Sequence, residues 1–270
     1  MSALQRARDL AGYDEVAGLR QSQDLDWVLS LAPAAPGSLA DLGCGTGALL
    51  QAAHGRWPSL GRTLGIDGAA TRVAEARARL GARAEIRQGD LLALDPLGER
   101  FDLITATSVL HWLHPDEERA LAWIAAHLAD DGALLLTTHH PHVGPDGLGA
   151  EDVVAREAYA ALGIDDFGAV LPMAVRARPA ADVQRLLAAV FALDAIEERE
   201  VAVETASAEQ YARFHASTFG TYFSRRVPAA EEEAFFAAVG EAAAARQARD
   251  GLVYPISVRL WRARPRRAAR

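Results

Sequence analysis

An α/β fold with a doubly wound, mostly parallel sheet is what this 270-residue chain predicts. Three observations predict it. Short apolar strands alternate with helices of 3.6-residue periodicity at the spacing of βαβ units. The stretch "LADLGCGTGALL", residues 39–50, sets three glycines between one apolar run and another, the form of a strand, a tight turn and a helix. Half of the residues are hydrophobic and no low-complexity tract interrupts them, so the chain can bury a substantial core.

The elements follow in order. Residues 22–31, "SQDLDWVLSL", put Leu25, Val28 and Leu29 on one helical face, with acidic residues near the helix start. "PAAPG" breaks the chain, and "SLADLG" reads as a buried strand running into the glycine turn. Residues 62–67, "RTLGID", form a second strand, and a helix over 69–80 carries Val73, Ala76 and Leu80 inward. "RAEIRQGD" is a third strand and "FDLITATS", 101–108, a fourth. Pro115 opens a helix that turns Leu121, Ile124 and Leu128 inward. The turn "DDG" then precedes a fifth strand, "ALLLTT".

Beyond it the pattern changes. Residues 140–177 hold a Gly/Pro-rich loop and one helix, 151–162, closed by Gly163. A helix opened by Pro179 carries Val183, Leu186, Leu187 and Val190, and "FALDAIEEREVAV" reads as a sixth strand. "SAEQ", 207–210, is a capping box that starts a helix bearing Tyr211, Phe214 and His215. Another helix runs from about 229 to 246, and "LVYPISVRLWRA" closes the chain as a strand. The segments at about 140–177 and 206–250 follow strands five and six, where open α/β sheets bind ligands. They read as an inserted helical cap in a single domain of residues 1–270, with residues 1–140 as its cofactor-binding half.

Composition narrows the chemistry. All 28 basic residues are arginine, and the absence of lysine removes Schiff-base chemistry, pyridoxal phosphate anchoring and the lysine of a phosphate-binding P-loop. A net charge of −8 argues against a nucleic-acid binder, and the basic tail "RLWRARPRRAAR" reads as a solvated terminus. No apolar run approaches the roughly 20 residues of a bilayer span. The opening "MSALQRARDLAGYDE" lacks the apolar segment of a signal peptide, and a lone Cys44 makes no internal disulfide. The expectation is a cytoplasmic monomer or homodimer that acts on a small molecule, with no nucleic-acid or membrane partner.

Glycine turns of this kind serve ATP, NAD and S-adenosylmethionine alike. Here the spacing is Gly-x-Gly-x-Gly at Gly43, Gly45 and Gly47, which differs from the dinucleotide fingerprint. Asp67 ends the second strand, placed to accept both hydroxyls of a ribose. Asp90, in "GDLL" at the end of the third, is placed to accept from the exocyclic amine of adenine. Acids opposite ribose and adenine, with no cation for phosphate, describe S-adenosylmethionine.

"ADLGCGTG", "GID", "GDLL" and "FDLITATSVLHWL", in this order and spacing, resemble class I S-adenosylmethionine-dependent methyltransferases over roughly residues 10–140. "LHWL" and "STFGTYFSRRVP…LVYPISVRLW" are similar to small-molecule carboxyl methyltransferases of the trans-aconitate methyltransferase kind. The resemblance implies a Rossmann-like seven-stranded sheet of order 3-2-1-4-5-7-6 with the last strand antiparallel, and S-adenosylmethionine as cofactor. It implies a cofactor site in which Asp41, Gly43, Cys44, Gly45 and Gly47 lie at the methionine part and ribose. Asp67 and Gly68 would serve the ribose, Gly89, Asp90 and Leu91 the adenine, and Thr107 and Ser108 the methionine end. Tyr13 and Arg20, in "YDEVAGLR", would close over the cofactor.

Methyl transfer from a sulfonium is an in-line displacement in which positioning contributes much of the rate. A carboxylate acceptor needs an arginine or hydroxyl clamp and no base, whereas a phenol, alcohol or ring carbon gains from one. "TTHHPHVGP" follows strand five, so His139 (ranked first) and His140 are candidate bases, with His111 after strand four. The histidines lack a paired carboxylate, so no metal is expected. Tyr13, Trp112, His142, Tyr222, Arg225 and Arg226 are candidate substrate contacts, the two arginines as a clamp for an anion. Phe214, Phe219, Phe223, Phe235 and Phe236 with Tyr222 suggest a partly aromatic pocket. The leading reading is O-methylation of a small organic acid or phenol. The alternative is N- or C-methylation of an aromatic or amino-acid-derived metabolite in secondary metabolism. A non-catalytic binding protein and a methyltransferase of macromolecules are the readings from other classes.

Overall fold

The computed structural model describes residues 25–266. Along the chain these form α1 (Leu25–Ser30), β1 (Ser38–Leu42), α2 (Ala48–Arg56), β2 (Arg62–Asp67), α3 (Ala70–Leu80), β3 (Glu85–Gln88), β4 (Phe101–Thr107), α4 (Glu117–His127) and β5 (Leu128–Pro141). There follow α5 (Ala150–Ala161), α6 (Met173–Arg176), α7 (Ala180–Val190), β6 (Phe191–Val203), α8 (Ala208–Ser217), α9 (Gly220–Ser224), α10 (Glu232–Asp250) and β7 (Tyr254–Pro265). The strands make one sheet of order β3-β2-β1-β4-β5-β7-β6, parallel except for β7. Among the described residues no helix is long and apolar enough to cross a membrane.

The described residues divide into two compact units, one of 25–139, 178–199 and 258–266, the other of 140–177 and 200–257. The first holds the parallel core. β1 and β2 are buried along nearly their whole length, as parallel strands covered on both faces must be, which is why they read as unbroken apolar runs. Leu42, Ile66, Phe101, Ile104, Leu121, Ile124, Leu136, Val183, Leu187 and Trp261 pack together in its core. The Trp261 indole N–H is satisfied there by the Thr138 hydroxyl at 2.7 Å.

Two expectations on β5 are corrected. "DDG" is not a turn before the strand, because β5 starts at Leu128 and carries these residues as an irregularity. Leu128 pairs with Phe101 and Ala133 with Leu103, so the extra residues bulge from the ladder. Gly132 fits because a Cβ there would lie 3.0 Å from the carbonyl oxygens of Ala129 and Phe101. Leu128 is therefore buried from the strand and not from α4, which ends at His127. That histidine closes the helix end: its Nε2 accepts the Leu97 amide at 2.8 Å, so Nδ1 carries the proton donated to the Trp123 carbonyl at 2.7 Å.

The second unit is helical and aromatic. Ser207 caps α8 by accepting the Gln210 amide at 3.1 Å, but the return bond of the capping box is displaced. The Gln210 side chain accepts from Ala206 N–H, and the Ser207 amide turns to the Thr205 hydroxyl. α8 and α10 approach closely: a Cβ on Gly240 would sit 2.2 Å from the Ala208 carbonyl oxygen. Buried Asp152, in the first turn of α5, accepts from the amides of Gly149, Met173 and Ala174, and so ties α6 to α5. Phe214, Phe219, Phe223 and Phe235 are buried against one another and against His215. These rings build the core of the unit and not, as expected, the wall of an open pocket.

Candidate active site

The sheet order reverses between β1 and β4, so the connections that leave their carboxyl ends run in opposite directions, the place where open α/β sheets bind ligands. Register aligns those ends: Asp41 lies beside Thr105, and Asp67 beside Gln88. The turn that follows β1 is shaped by left-handed backbone at Gly43, Gly45 and Gly47, with φ of 72°, 53° and 81°. At Gly43 the requirement is also steric, since a Cβ would fall 2.3 Å from Val109 Cγ2. Gly45 is different: among the described residues nothing lies within 4 Å of where its Cβ would stand, so this turn offers bare backbone. The Gly43 and Cys44 amides anchor on the Ile66 carbonyl. Arg79 reaches the turn but is engaged as a tether, donating to the Thr46 carbonyl and hydroxyl.

Asp67 is 8% exposed, and its carboxylate is held from both sides. One oxygen accepts the Gly45 amide at 2.9 Å and the other the Ala69 amide at 2.8 Å. Two of about four lone-pair sites are thus used, which leaves acceptor capacity for hydroxyl groups. Asp41 is buried and accepts the Thr105 hydroxyl at 2.7 Å. Burial pushes its carboxyl up to about 7, against that hydrogen bond and with help from the Asp67 charge. Among the described residues no cation pairs with either acid. Such a turn suits a cationic sulfonium nucleoside better than a nucleotide phosphate. Burial drives the Cys44 thiol far above its usual range, so it is a packing residue of the turn and no nucleophile.

The remaining cofactor candidates fall around these. Gly68 accepts from the Gln88 side chain, and the Gly89 amide donates to the Asp67 carbonyl. Asp90 is exposed and its carboxylate accepts the Leu92 amide at 3.0 Å, with Leu91 buried beside it. Thr107 ends β4. Ser108 after it holds a left-handed φ of 56°, stabilised by its amide bond to the Thr137 hydroxyl at 3.0 Å. The left-handed conformation of a non-glycine residue is strained, and no sequence signal announces it.

Of the histidines, His111 and His139 are brought together: both are buried and their rings meet edge to face, centroids 6.4 Å apart. Trp112 stands 5.4 Å from His111. His140 belongs to the helical unit and is half-buried. His142, also in that unit, is exposed and pairs with Glu200 at 3.0 Å. Tyr222 is buried there, with Arg225 and Arg226 exposed after it. The Arg225 guanidinium lies over the Tyr222 ring at 5.5 Å. Sequence reasoning missed Arg176, which lies over the same ring at 3.9 Å. Tyr13 and Arg20 lie outside the described residues.

Sheet order, glycine turn and switch-point acids together define the class I S-adenosylmethionine-dependent methyltransferase fold, and residues 39–132 match the family model described as a methyltransferase domain. The chain carries such a domain, with S-adenosylmethionine as its cofactor. Among curated proteins, a trans-aconitate 2-methyltransferase of Methylobacterium nodulans is 36% identical over 126 residues, 47% of either chain. The chain thus matches about half the length of this relative. Among solved structures, phosphoethanolamine N-methyltransferase 2 of Haemonchus contortus, in complex with S-adenosyl-L-methionine, aligns at a TM-score of 0.57 and 14% identity, over 94% of this chain and 57% of that one. The [4+2]-cyclase SpnF aligns at 0.54 and 18%, over 90% and 81%. At these identities the likeness is one of fold.

Proposed function

We propose that this chain transfers the methyl group of S-adenosylmethionine to a carboxylate oxygen of a small organic acid. The observation that carries the reading is the 126-residue stretch shared with an enzyme named for trans-aconitate, a small carboxylic acid. The bound cofactor supplies an electrophilic methyl group on a good sulfur leaving group. Asp67 would receive the ribose hydroxyls on its remaining lone pairs, and the open side of Gly45 would admit the nucleoside. Asp90 and Leu91 would take the adenine edge, and the Ser108 turn would serve the methionine end. With the cofactor bound, transfer to a carboxylate oxygen would be an in-line displacement at the methyl carbon with the carbon–sulfur pair leaving to sulfur. It would yield a methyl ester and S-adenosylhomocysteine with no proton moved, so the protein's task would be alignment.

A labelled-methyl assay with trans-aconitate, other carboxylates, phenols and indoles, followed by product mass spectrometry, tests the reading. Methyl esters are the expected products. Transfer to phenols alone, or only to a macromolecule, overturns it. A phenol is the second reading, favoured by the buried His111–His139 pair. His139→Ala decides between them: turnover on a carboxylate persists, whereas loss of a base costs about 10²–10⁴ in rate.

The cofactor site has its own test. Asp67→Ala is expected to weaken S-adenosylhomocysteine binding by about 1–3 kcal/mol in calorimetry, the loss of hydrogen bonds to a charged group. A lower melting temperature is also expected, because the Gly45 and Ala69 amides lose their acceptor. Lower stability with unchanged affinity would reduce Asp67 to a support for the turn.

A further inference from the structure

Acidic side chains outnumber basic ones in this chain, 36 to 28, so carboxylates are in excess. Arg62, Arg156, Arg178 and Arg246 each hold one. The arginines around Tyr222 do not. Among the described residues neither Arg176, Arg225 nor Arg226 has a carboxylate partner. Two of them lie over one aromatic ring, with Arg176 Cζ 3.9 Å and Arg225 Cζ 5.5 Å from the Tyr222 ring centroid. Arg225 is exposed, whereas Arg176 is half-buried. The Arg176 Nε is fully buried, with no hydrogen-bond partner among the described residues.

Two like charges on one ring repel each other, and the ring quadrupole offsets only part of that repulsion. Burial, with the Arg225 charge, holds the Arg176 guanidinium below the usual arginine range although the Tyr222 hydroxyl opposes it. A bound anion relieves repulsion and desolvation together. A guanidinium carries its N–H groups at the edge of one plane, a geometry that matches the two oxygens of a planar carboxylate. The spacing of the arginines also matters. They come from two segments, α6 and the end of α9, both in the helical unit, so the site is built by packing and not by one run of charge.

We propose that Arg176, with Arg225 over the same Tyr222 ring, forms a site of the helical unit that binds the carboxylate of a small organic acid. Arg176 is the principal contact, and Arg225 adds charge from the exposed side.

The full chain is tested by calorimetry with trans-aconitate and with inorganic phosphate. Arg176→Met is expected to weaken trans-aconitate binding by about 10- to 100-fold, the loss of a charge-assisted hydrogen bond. Arg176→Lys recovers part of this, since the charge returns without the planar fork, and Arg225→Met has a smaller effect. S-adenosylhomocysteine affinity stays unchanged in all three, which shows that the variants are folded. Unchanged trans-aconitate affinity in folded Arg176→Met overturns the site, as does the absence of carboxylate binding by the unaltered protein. Phosphate bound as tightly as trans-aconitate overturns the carboxylate assignment.

Discussion

Replacing Glu117 by alanine is expected to lower the unfolding free energy by about 3–5 kcal/mol, the effect of breaking a buried ion pair from one side. Glu117 lies in the first turn of α4 with its side chain 1% exposed. Arg178 grips it with two parallel bonds, Nε to Oε1 at 2.6 Å and Nη2 to Oε2 at 2.8 Å. His114 adds a contact to Oε1 at 3.1 Å. Burial alone would raise this carboxyl; the Arg178, backbone and His114 bonds outweigh it and hold the group below the usual carboxylate range. Its stabilisation is therefore present at neutral pH and is lost as pH falls through the depressed value. Arg178 itself adopts a left-handed φ of 55°, a conformation that this grip helps to hold. Urea unfolding at pH 7 reads the loss directly. The double variant Glu117→Leu with Arg178→Met should recover most of it, because the stranded charge is gone. A loss below about 1 kcal/mol would place the pair with exposed salt bridges instead.

Acid should destabilise the helical unit through His215. The imidazole is fully buried among Tyr211, Phe219, Phe223, Phe235 and Phe236, and among the described residues neither ring nitrogen has a hydrogen-bond partner. Burial pushes it down from 6.5 to about 3. Below pH 6.5 the unfolded chain takes up a proton that the folded chain refuses. The stability contributed by the neutral ring is complete above pH 6.5 and falls as pH drops toward 3, by roughly 1.4 kcal/mol per unit. Asp41 slopes the other way, because its folded value is raised from 3.8 to about 7 and its contribution is lost as pH rises across that window. The two oppose each other in the wild type, so the informative quantity is a difference. His215→Leu minus wild type should grow more favourable by about 3 kcal/mol between pH 7 and pH 4 in urea unfolding. A pH-independent difference would mean that water or a hydrogen bond reaches the ring.

The fold was legible because its signals are local. Apolar runs at β1, β2 and β4, helical faces at α3 and α7, and three glycines after β1 are each written within about ten residues. Parallel strands buried on both faces leave little room for polar interruptions. The positions of the candidate cofactor residues were legible for the same reason, since Asp67 and Asp90 stand at strand ends that the pattern itself locates. The strand order came from resemblance to a family, as no local signal orders strands.

What only the tertiary structure decided is the pairing of groups far apart in sequence. Nothing near Glu117 points to Arg178, 61 residues on, as its partner. Arg176 stands in "RARP" like many arginines of a lysine-free chain, and only packing lays it over Tyr222 beside Arg225. The six aromatic residues of the helical segments read as a pocket, because period marks an inward side chain and not what it meets, and mutual burial made most of them core. His215 sits at a helical position where period predicts an inward side chain, yet period does not say whether the interior holds a partner for it. Periodicity and turn chemistry fix how each segment folds, because those forces act between near neighbours. Burial, charge pairing and proton affinity depend on what the folded chain brings within a few ångströms, and that is set only when the segments pack.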